Sequence, residues 1–432
     1  MDTDAYDLVV IGGGLSGGQL IVSLLDLVLA GGGARRLRIA LVDRIGDFGA
    51  GIPYGEQTTQ PGFLLIETVE ESTPSGFVEW LRLNTARLLE SSDGASLGWL
   101  SENRQRLEAG NYSELFVPRR LFGWFAGEQL EERIRRASAK GLASVTTIKA
   151  EAHDVVVEDQ FRVDLDGAPS CRARVVTLAI GCIPPAQRYA VGVVEGFVHQ
   201  PHGDAFASLA KVIAQKARDS RRIDVAILGS GASASEVIYF LAHSPELIAA
   251  IRTIRVVSSS GRLSGDTLGA PRAAGADANP ARNRPSSREY VAAACGLVAC
   301  GKLTIQQGKV LNVSAQDGKL AVTMESNDEP RFGADVVVGC TGAGDVERNS
   351  STLLKNLLSP GRPFRANHRR KGFVMQPDSF EVEGVQGCFV IGPLLNRSSP
   401  NIIVESIPEV YRVAPVLAAA IHRRLQGQDD RR

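Results

Sequence analysis

The 432-residue sequence lacks a charge surplus, with 48 Lys and Arg against 48 Asp and Glu. Phosphate-backbone binding needs a basic face, so no nucleic-acid partner is expected. Cysteine is scarce. The six residues Cys171, Cys182, Cys295, Cys300, Cys340 and Cys388 are too few for a disulfide framework. None forms a Cys-x-x-Cys pair, which argues against a dithiol reductase. Long hydrophobic runs are also missing. The longest, residues 21–30 (broken by Asp26) and 413–421, fall short of the roughly 18 residues that suggest a membrane span. The start, Met1-Asp2-Thr3-Asp4, lacks the basic region of a signal peptide. A soluble, cytoplasmic protein without a membrane partner is therefore expected. There is no Gly-x-Ser-x-Gly elbow and no P-loop lysine motif, so hydrolase and kinase readings have no support.

What is present is apolar material and glycine. Hydrophobic residues make up 44% and charged residues 22%, ample for a large core. The length suggests two or three domains at roughly 100–200 residues each. The 45 glycines are about 10% of the chain, against an average near 7%. Their positions follow a pattern. A β-branched run at 7–11 leads into glycines, a helical run at 15–29 and a strand at 39–42. Helices are predicted at 76–89 and 121–140, and strands at 145–149, 154–157, 161–165 and 175–180. The unit then restarts, with a strand at 224–228, glycines, a helix at 234–243 and a strand at 254–257. Residues 264–287 are rich in Gly, Ala, Pro, Asn and Arg without apolar period, and read as a long loop or lid. Further strands are predicted at 303–306, 319–324, 335–338 and 388–391, with a closing helix at 407–425.

The first loop, Ile11-Gly12-Gly13-Gly14-Leu15-Ser16-Gly17, is a G-x-G-x-x-G motif with a strand before it and a helix after it. Gly12 permits the tight turn, Gly14 lets a pyrophosphate approach the backbone, and Gly17 lets helix and strand pack closely. The phosphate then meets the helix N-terminus. Asp43, ending the second strand, can accept hydrogen bonds from an adenosine ribose. The second loop, Leu228-Gly229-Ser230-Gly231-Ala232-Ser233-Ala234, is the G-x-G-x-x-A variant. Its following strand ends Ser258-Ser259-Ser260-Gly261-Arg262, with no carboxylate. Small hydroxyls and an arginine suit a 2′-phosphate, favouring NADP(H) over NAD(H). The competing reading of the first loop is a tight turn without a ligand, and of the second a vestigial Rossmann unit used only as scaffold. Two buried strands that end in glycine, at 175–181 and 336–342, flank the second loop. They mark where the chain leaves one nucleotide domain and re-enters it.

Several further segments complete a resemblance. They are Gly51-Ile52-Pro53-Tyr54-Gly55 followed by Phe63-Leu64-Leu65; Phe77-Val78-Glu79-Trp80-Leu81; Val117-Pro118-Arg119-Arg120 with Phe122-Gly123-Trp124-Phe125; Ala179-Ile180-Gly181 with Pro184-Pro185; and Val390-Ile391-Gly392-Pro393-Leu394. With the first glycine loop they resemble the FAD-NAD(P)-binding family of two-dinucleotide-domain flavoproteins, near the flavin N-hydroxylating monooxygenases. The resemblance implies an α/β fold with two Rossmann-like dinucleotide-binding domains. The FAD domain would be discontinuous, at 1–190 and 343–432, with an NAD(P)H-type domain inserted at 191–342. It places Gly392, Pro393, Ile407 and Tyr54 beside the flavin. The expected cofactor-binding residues are Gly12, Gly14, Leu15, Ser16, Gly17, Asp43, Arg44, Tyr54, Gly181, Gly229, Gly231, Ser233, Arg262, Gly392, Pro393 and Ile407. The cofactors are FAD and NADPH. Two departures stand out. Leu64-Leu65-Ile66 replaces the family's Leu-Leu-Asn, and Ser258-Ser259-Ser260-Gly261 replaces Ser-Arg-Arg-Gly.

Other clusters are weaker. Arg119 and Arg120 could hold a substrate carboxylate or a phosphate, or be surface groups. His199 and His202 lack further ligands with metal-site spacing and read as turn histidines, so no metal is expected. Cys295 and Cys300 read as buried small residues, and His368-Arg369-Arg370-Lys371 as a solvated loop. The favoured function is an FAD-dependent, NAD(P)H-using monooxygenase acting with oxygen on a small amine or amino-acid-like substrate. The alternatives are an FAD oxidase or dehydrogenase that takes electrons from its substrate, and a non-catalytic nucleotide-binding or electron-transfer partner. Such chemistry belongs to the flavin, and the sequence singles out no catalytic side chain.

Overall fold

The computed structural model describes residues 5–31, 35–56, 62–90, 94–183, 189, 194–199, 205–218, 222–263, 287–325, 330–342, 344–376, 379–395 and 406–427. Residues 264–286 of the expected lid at 264–287, His202, and Pro184-Pro185 lie outside these residues. Strand β1 (Ala5–Ile11), helix α1 (Leu15–Gly31) and strand β2 (Leu37–Asp43) form the opening unit. Helices α2 (Gly51–Tyr54), α3 (Val69–Ser72), α4 (Ser75–Glu90), α5 (Gly94–Glu108) and α6 (Arg119–Ala139) follow. Then come strands β3 (Ala143–Lys149), β4 (Glu151–Val157), β5 (Phe161–Asp166) and β6 (Cys171–Leu178). The second part holds β7 (Phe197–His199), α7 (Ala205–Lys216), β8 (Ile223–Leu228), α8 (Ala232–Ala242), α9 (Pro245–Ala250) and β9 (Ile251–Ser258). It continues with α10 (Arg288–Ala299), β10 (Leu303–Gln307), β11 (Lys309–Gln316), β12 (Lys319–Glu325), β13 (Arg331–Ala334) and β14 (Val336–Gly339). The chain ends with α11 (Thr352–Leu357), β15 (Cys388–Val390) and α12 (Ile407–Leu425).

These strands build one architecture twice. In the first sheet β3-β2-β1-β6 run in that order, and β15 pairs with the C-terminal half of β6. All four of these pairings are parallel. In the second sheet the order is β10-β9-β8-β14-β7, again parallel throughout. Each unit also carries antiparallel strands. They are β4-β5 against the start of β6 in the first, and the three-stranded β11-β12-β13 sheet in the second. Because β15 returns to the first sheet after β7–β14 have formed the second, the fold is a discontinuous dinucleotide domain with another inserted. The strands show why. Val9, Val10, Val225, Ala226, Val336 and Val337 are buried, as parallel strands covered on both faces require. In β5, by contrast, Phe161, Val163 and Leu165 are buried in alternation with Arg162 and Asp164, as in a half-solvated antiparallel strand.

The duplication extends to salt bridges. Asp7 at the start of β1 pairs with Arg35, and Asp224 at the equivalent place in β8 pairs with Arg252. Several predicted elements extend by a residue or two in the structure. Helices α2, α3, α5, α7, α9, α10 and α11, and strands β7, β11 and β13, were not predicted. Much of α5, for example, is polar and lacks an apolar period. Cys295 and Cys300 prove exposed rather than buried. Helix α10 turns Tyr290, Ala294 and Leu297 inward, and these two positions lie off that face.

Close packing of α1 on β1 requires Gly17. A Cβ there would lie 2.0 Å from the Gly12 carbonyl oxygen, whereas one on Gly296 in α10 would meet nothing within 4 Å. Gly17→Ala is therefore expected to cost about 2–4 kcal/mol through overpacking. Gly296→Ala should gain about 0.5–1 kcal/mol from helix propensity. Urea unfolding of the two variants checks the opposite signs.

Candidate dinucleotide sites and the seam between them

The first glycine loop is fixed by three strands at one point. Gly12 adopts φ 107° and its amide donates to the Val42 carbonyl at 2.8 Å. The Ala179 amide donates to the Ile11 carbonyl at 2.7 Å, and a Cβ on Gly12 would sit 2.2 Å from the Ala179 oxygen. Two further glycines close on the loop. A Cβ on Gly51 would come within 2.7 Å of the Gly14 Cα, and one on Gly392 within 2.7 Å of the Ser16 Oγ. Leu15 and Ser16 are buried, and the first turn of α1 holds no acidic residue to quench its terminal amides. Bare glycine backbone before an uncompensated helix N-terminus is a donor set that fits a pyrophosphate.

Asp43 stands where expected, but its carboxylate is already busy. It accepts from the amides of Gly13 at 2.9 Å, Ile45 at 2.8 Å and Gly46 at 2.9 Å. A carboxylate has about four acceptor positions, so room remains for a ribose hydroxyl. Arg44 is exposed, and Gly181 takes φ 74° at the exit from β6. Pro393 opens a short 3-10 turn, and buried Ile407 is the first residue of α12. Tyr54 is held from below. A Cβ on Gly123 of α6 would lie 2.1 Å from the Tyr54 carbonyl oxygen, and Phe122 meets the Tyr54 ring edge-on at 5.3 Å.

The second loop repeats the first closely. Gly229 adopts φ 105°, donates to the Val257 carbonyl at 2.8 Å, and would place a Cβ 2.2 Å from the Cys340 oxygen. The Cys340 amide donates to the Leu228 carbonyl at 2.7 Å, and Gly342 takes φ 81° where Gly181 does in the first unit. Ala234 is fully buried in the third slot, while Gly231 is exposed and Ser233 half-buried. The counterpart of Asp43 is Ser258. Its buried hydroxyl accepts from the Arg262 amide at 3.3 Å and donates to the Arg262 carbonyl at 3.2 Å, shaping that turn. Gly261, at φ 67°, completes the turn, and Arg262 is half-buried. His199 is in strand β7 rather than a turn, and burial lowers its pKa. Among the described residues no His, Cys, Asp and Glu cluster could hold a metal ion.

Joining the two units is a group of residues that sequence reasoning did not connect. Arg119 Nη2 bonds Glu236 of α8 at 2.5 Å, and Arg119 Nε donates to the Leu64 carbonyl at 3.0 Å. Burial disfavours the Arg119 charge, but Glu236 more than offsets this and holds the guanidinium protonated. Arg120 donates to the Glu56 carbonyl at 3.0 Å. Arg119, expected as a possible substrate clamp, is thus committed within the protein. The one available signal for Glu236 was a lone acid inside the apolar run of α8. Tyr290, whose pKa burial also raises, had no such signal.

A family model described as FAD-NAD(P)-binding matches residues 9–182, from β1 through the crossover at Gly181. An uncharacterized protein of Mycobacterium tuberculosis is 27% identical, covering 98% of this chain and 96% of its own. Ornithine hydroxylase of Pseudomonas aeruginosa is 14% identical with a TM-score of 0.60, over 98% of this chain and 100% of that one. A cadaverine monooxygenase of Erwinia amylovora is 13% identical at 0.61, over 98% and 95%. Bacillithiol disulfide reductase of Staphylococcus aureus is 12% identical at 0.54, over 98% and 99%. The fold is that of flavoproteins with two dinucleotide-binding domains. Residues 9–182 thus resemble the FAD-NAD(P)-binding family, and that likeness supports FAD and a nicotinamide dinucleotide as cofactors. No helix among the described residues is long and apolar enough to cross a membrane.

Burial, partly countered by Arg119, pushes the Tyr54 hydroxyl up to about 12. The native state therefore keeps this proton while the unfolded chain loses it near pH 10. Its contribution to stability is full below pH 10 and declines from there towards pH 12. Denaturant midpoints measured from pH 9 to 11 should fall less steeply in Tyr54→Phe than in the wild type.

Proposed function

We propose that the protein is an NADPH-using flavin monooxygenase acting on a small amine or amino-acid-like substrate. The observation that carries NADPH use is the second glycine loop. It is built like the first, but Ser258 occupies the place of Asp43, so no carboxylate repels a 2′-phosphate. Gly229 and Gly231 with the N-terminal turn of α8, whose first turn has no acidic residue, hold the pyrophosphate of NADPH. Ser233 lies beside them, and Arg262 faces the 2′-phosphate. In the first unit Gly12, Gly14, Leu15, Ser16 and Gly17 hold the FAD pyrophosphate and Asp43, with Arg44 beside it, the ribose. Gly181, Gly392, Pro393, Ile407 and Tyr54 border the flavin. We place the two segments of the FAD domain at 1–190 and 343–432, around a nicotinamide domain at 191–342.

FAD, held by the residues of the first loop, would supply the redox chemistry between the nicotinamide and oxygen. The chain's own part is to bind, orient and exclude water. The amine assignment is supported by the two hydroxylating neighbours, which match over nearly the whole chain. The absence of a Cys-x-x-Cys pair speaks against the dithiol chemistry of a disulfide reductase.

Anaerobic stopped-flow mixing tests this reading. NADPH should bleach the yellow protein, and faster than NADH does. Bleaching by an amine but by neither nucleotide would select the oxidase or dehydrogenase alternative, which the loss of the family's Ser-Arg-Arg-Gly motivates. Stable FAD with no turnover on any donor would select the non-catalytic one. Arg262→Ala should weaken NADPH binding about 10–100-fold, the worth of a charge-assisted contact, and leave NADH unchanged. Equal loss for both nucleotides would remove Arg262 from the 2′-phosphate.

A further inference from the structure

Residues 63–65 belong by chain order to the first dinucleotide unit, yet they are held by the second. Phe63 is 4% exposed and sits in the second core, edge-on to Phe206 of α7 at 4.7 Å. Leu64, its neighbour, is buried in the first core. The Leu64 amide donates to the Tyr290 hydroxyl at 3.0 Å, and that hydroxyl donates to the Leu64 carbonyl at 3.3 Å. The same carbonyl accepts from Arg119 Nε, while the Arg119 amide donates to the Phe63 carbonyl at 2.8 Å. The far side of the Arg119 guanidinium meets Glu236, and the two side chains are 13% and 3% exposed. One short stretch of backbone is thus held by α6 of the first unit and α10 of the second, and α8 joins it through Arg119.

From this geometry we infer that the Arg119–Glu236–Tyr290 clasp fixes the orientation of the two dinucleotide units, so that electrons pass between them without one unit rotating against the other. The inference rests on the proposed NADPH-to-FAD transfer. Interdomain seams are commonly polar and permit motion unless extensively buried. This one is built against it. Rotation would draw Phe63 out of an apolar core and expose it to water. It would also strand Arg119 and Glu236 as buried charges without partners, and leave the Leu64 carbonyl and amide short of theirs. Glu236 and Tyr290 are accordingly positioning residues. They lie on the helix that starts at the second glycine loop and on its neighbour, and they set where that loop sits relative to the flavin side.

Distance measurement by pulsed electron paramagnetic resonance tests the clasp on the full-length, FAD-loaded protein. Leu83 of α4 and Leu311 of β11 are 75% and 52% exposed and lie in different units, so L83C and L311C carry the spin labels. The exposed Cys182, Cys295 and Cys300 are replaced by Ser. The clasped protein should give one narrow distance, unchanged by NADPH. Glu236→Gln and Tyr290→Phe, each verified as folded by circular dichroism, should broaden it or add a second distance. If Glu236→Gln does not fold, Tyr290→Phe carries the comparison. Two distances in the unmodified clasp, a shift on adding NADPH, or folded variants as narrow as the parent would overturn the inference. The comparison of parent and variants needs no nicotinamide. A protein that NADPH fails to bleach therefore counts against the proposed reaction and leaves the clasp to be decided by the distances alone.

Discussion

Each half of the molecule depends on one backbone approach. The carbonyl of a crossover residue, Ala179 in one unit and Cys340 in the other, lies so close to the first loop glycine that a Cβ would stand 2.2 Å from it. Only glycine tolerates both this contact and the positive φ at Gly12 and Gly229. The contact lets the central strand, its parallel neighbour and the crossover strand converge. It also leaves the following helix with its N-terminus open at the sheet's C-terminal edge, where α/β folds bind their ligands. The binding geometry thus follows from a packing constraint.

Having built the same unit twice, the chain makes the two copies different at the end of the second strand. Asp43 folds its loop by accepting three amides, and its charge suits a ribose hydroxyl. Ser258 folds the equivalent turn with a neutral hydroxyl that engages the backbone of Arg262. Either side chain supplies the local hydrogen bonds that the turn needs. What changes is the charge beside the loop, and under the proposed function that is where two dinucleotides of similar size are told apart.

The glycine loops, the strands around them, the two crossover glycines and the closing helix were legible in the sequence because each is a local pattern. The fold class followed from their order. Other features were not local. The Arg119–Glu236 pair joins residues 117 apart, and Glu236 looks in sequence like any polar residue on a helix. Arg119 was noticed for its charge, but its partner could not be guessed, so a substrate role stood open that the buried pair now occupies. The three amides on Asp43 likewise come from residues whose spacing does not announce a shared acceptor. Cys295 and Cys300 were misjudged because the inward face of α10 is set by Tyr290, which reaches across to Leu64. Tertiary partners decided each of these.

The central claim is that one chain carries two separate dinucleotide sites of common design and different preference. Equilibrium binding to apoprotein tests it directly, with FAD added first and NADP+ second. One FAD and one NADP+ per chain are expected, neither displacing the other. Gly12→Val should abolish FAD uptake, and Gly229→Val should abolish NADP+ binding to the FAD-loaded protein. Competition between the two nucleotides for a single site, or a second loop that takes up no dinucleotide at all, would contradict it.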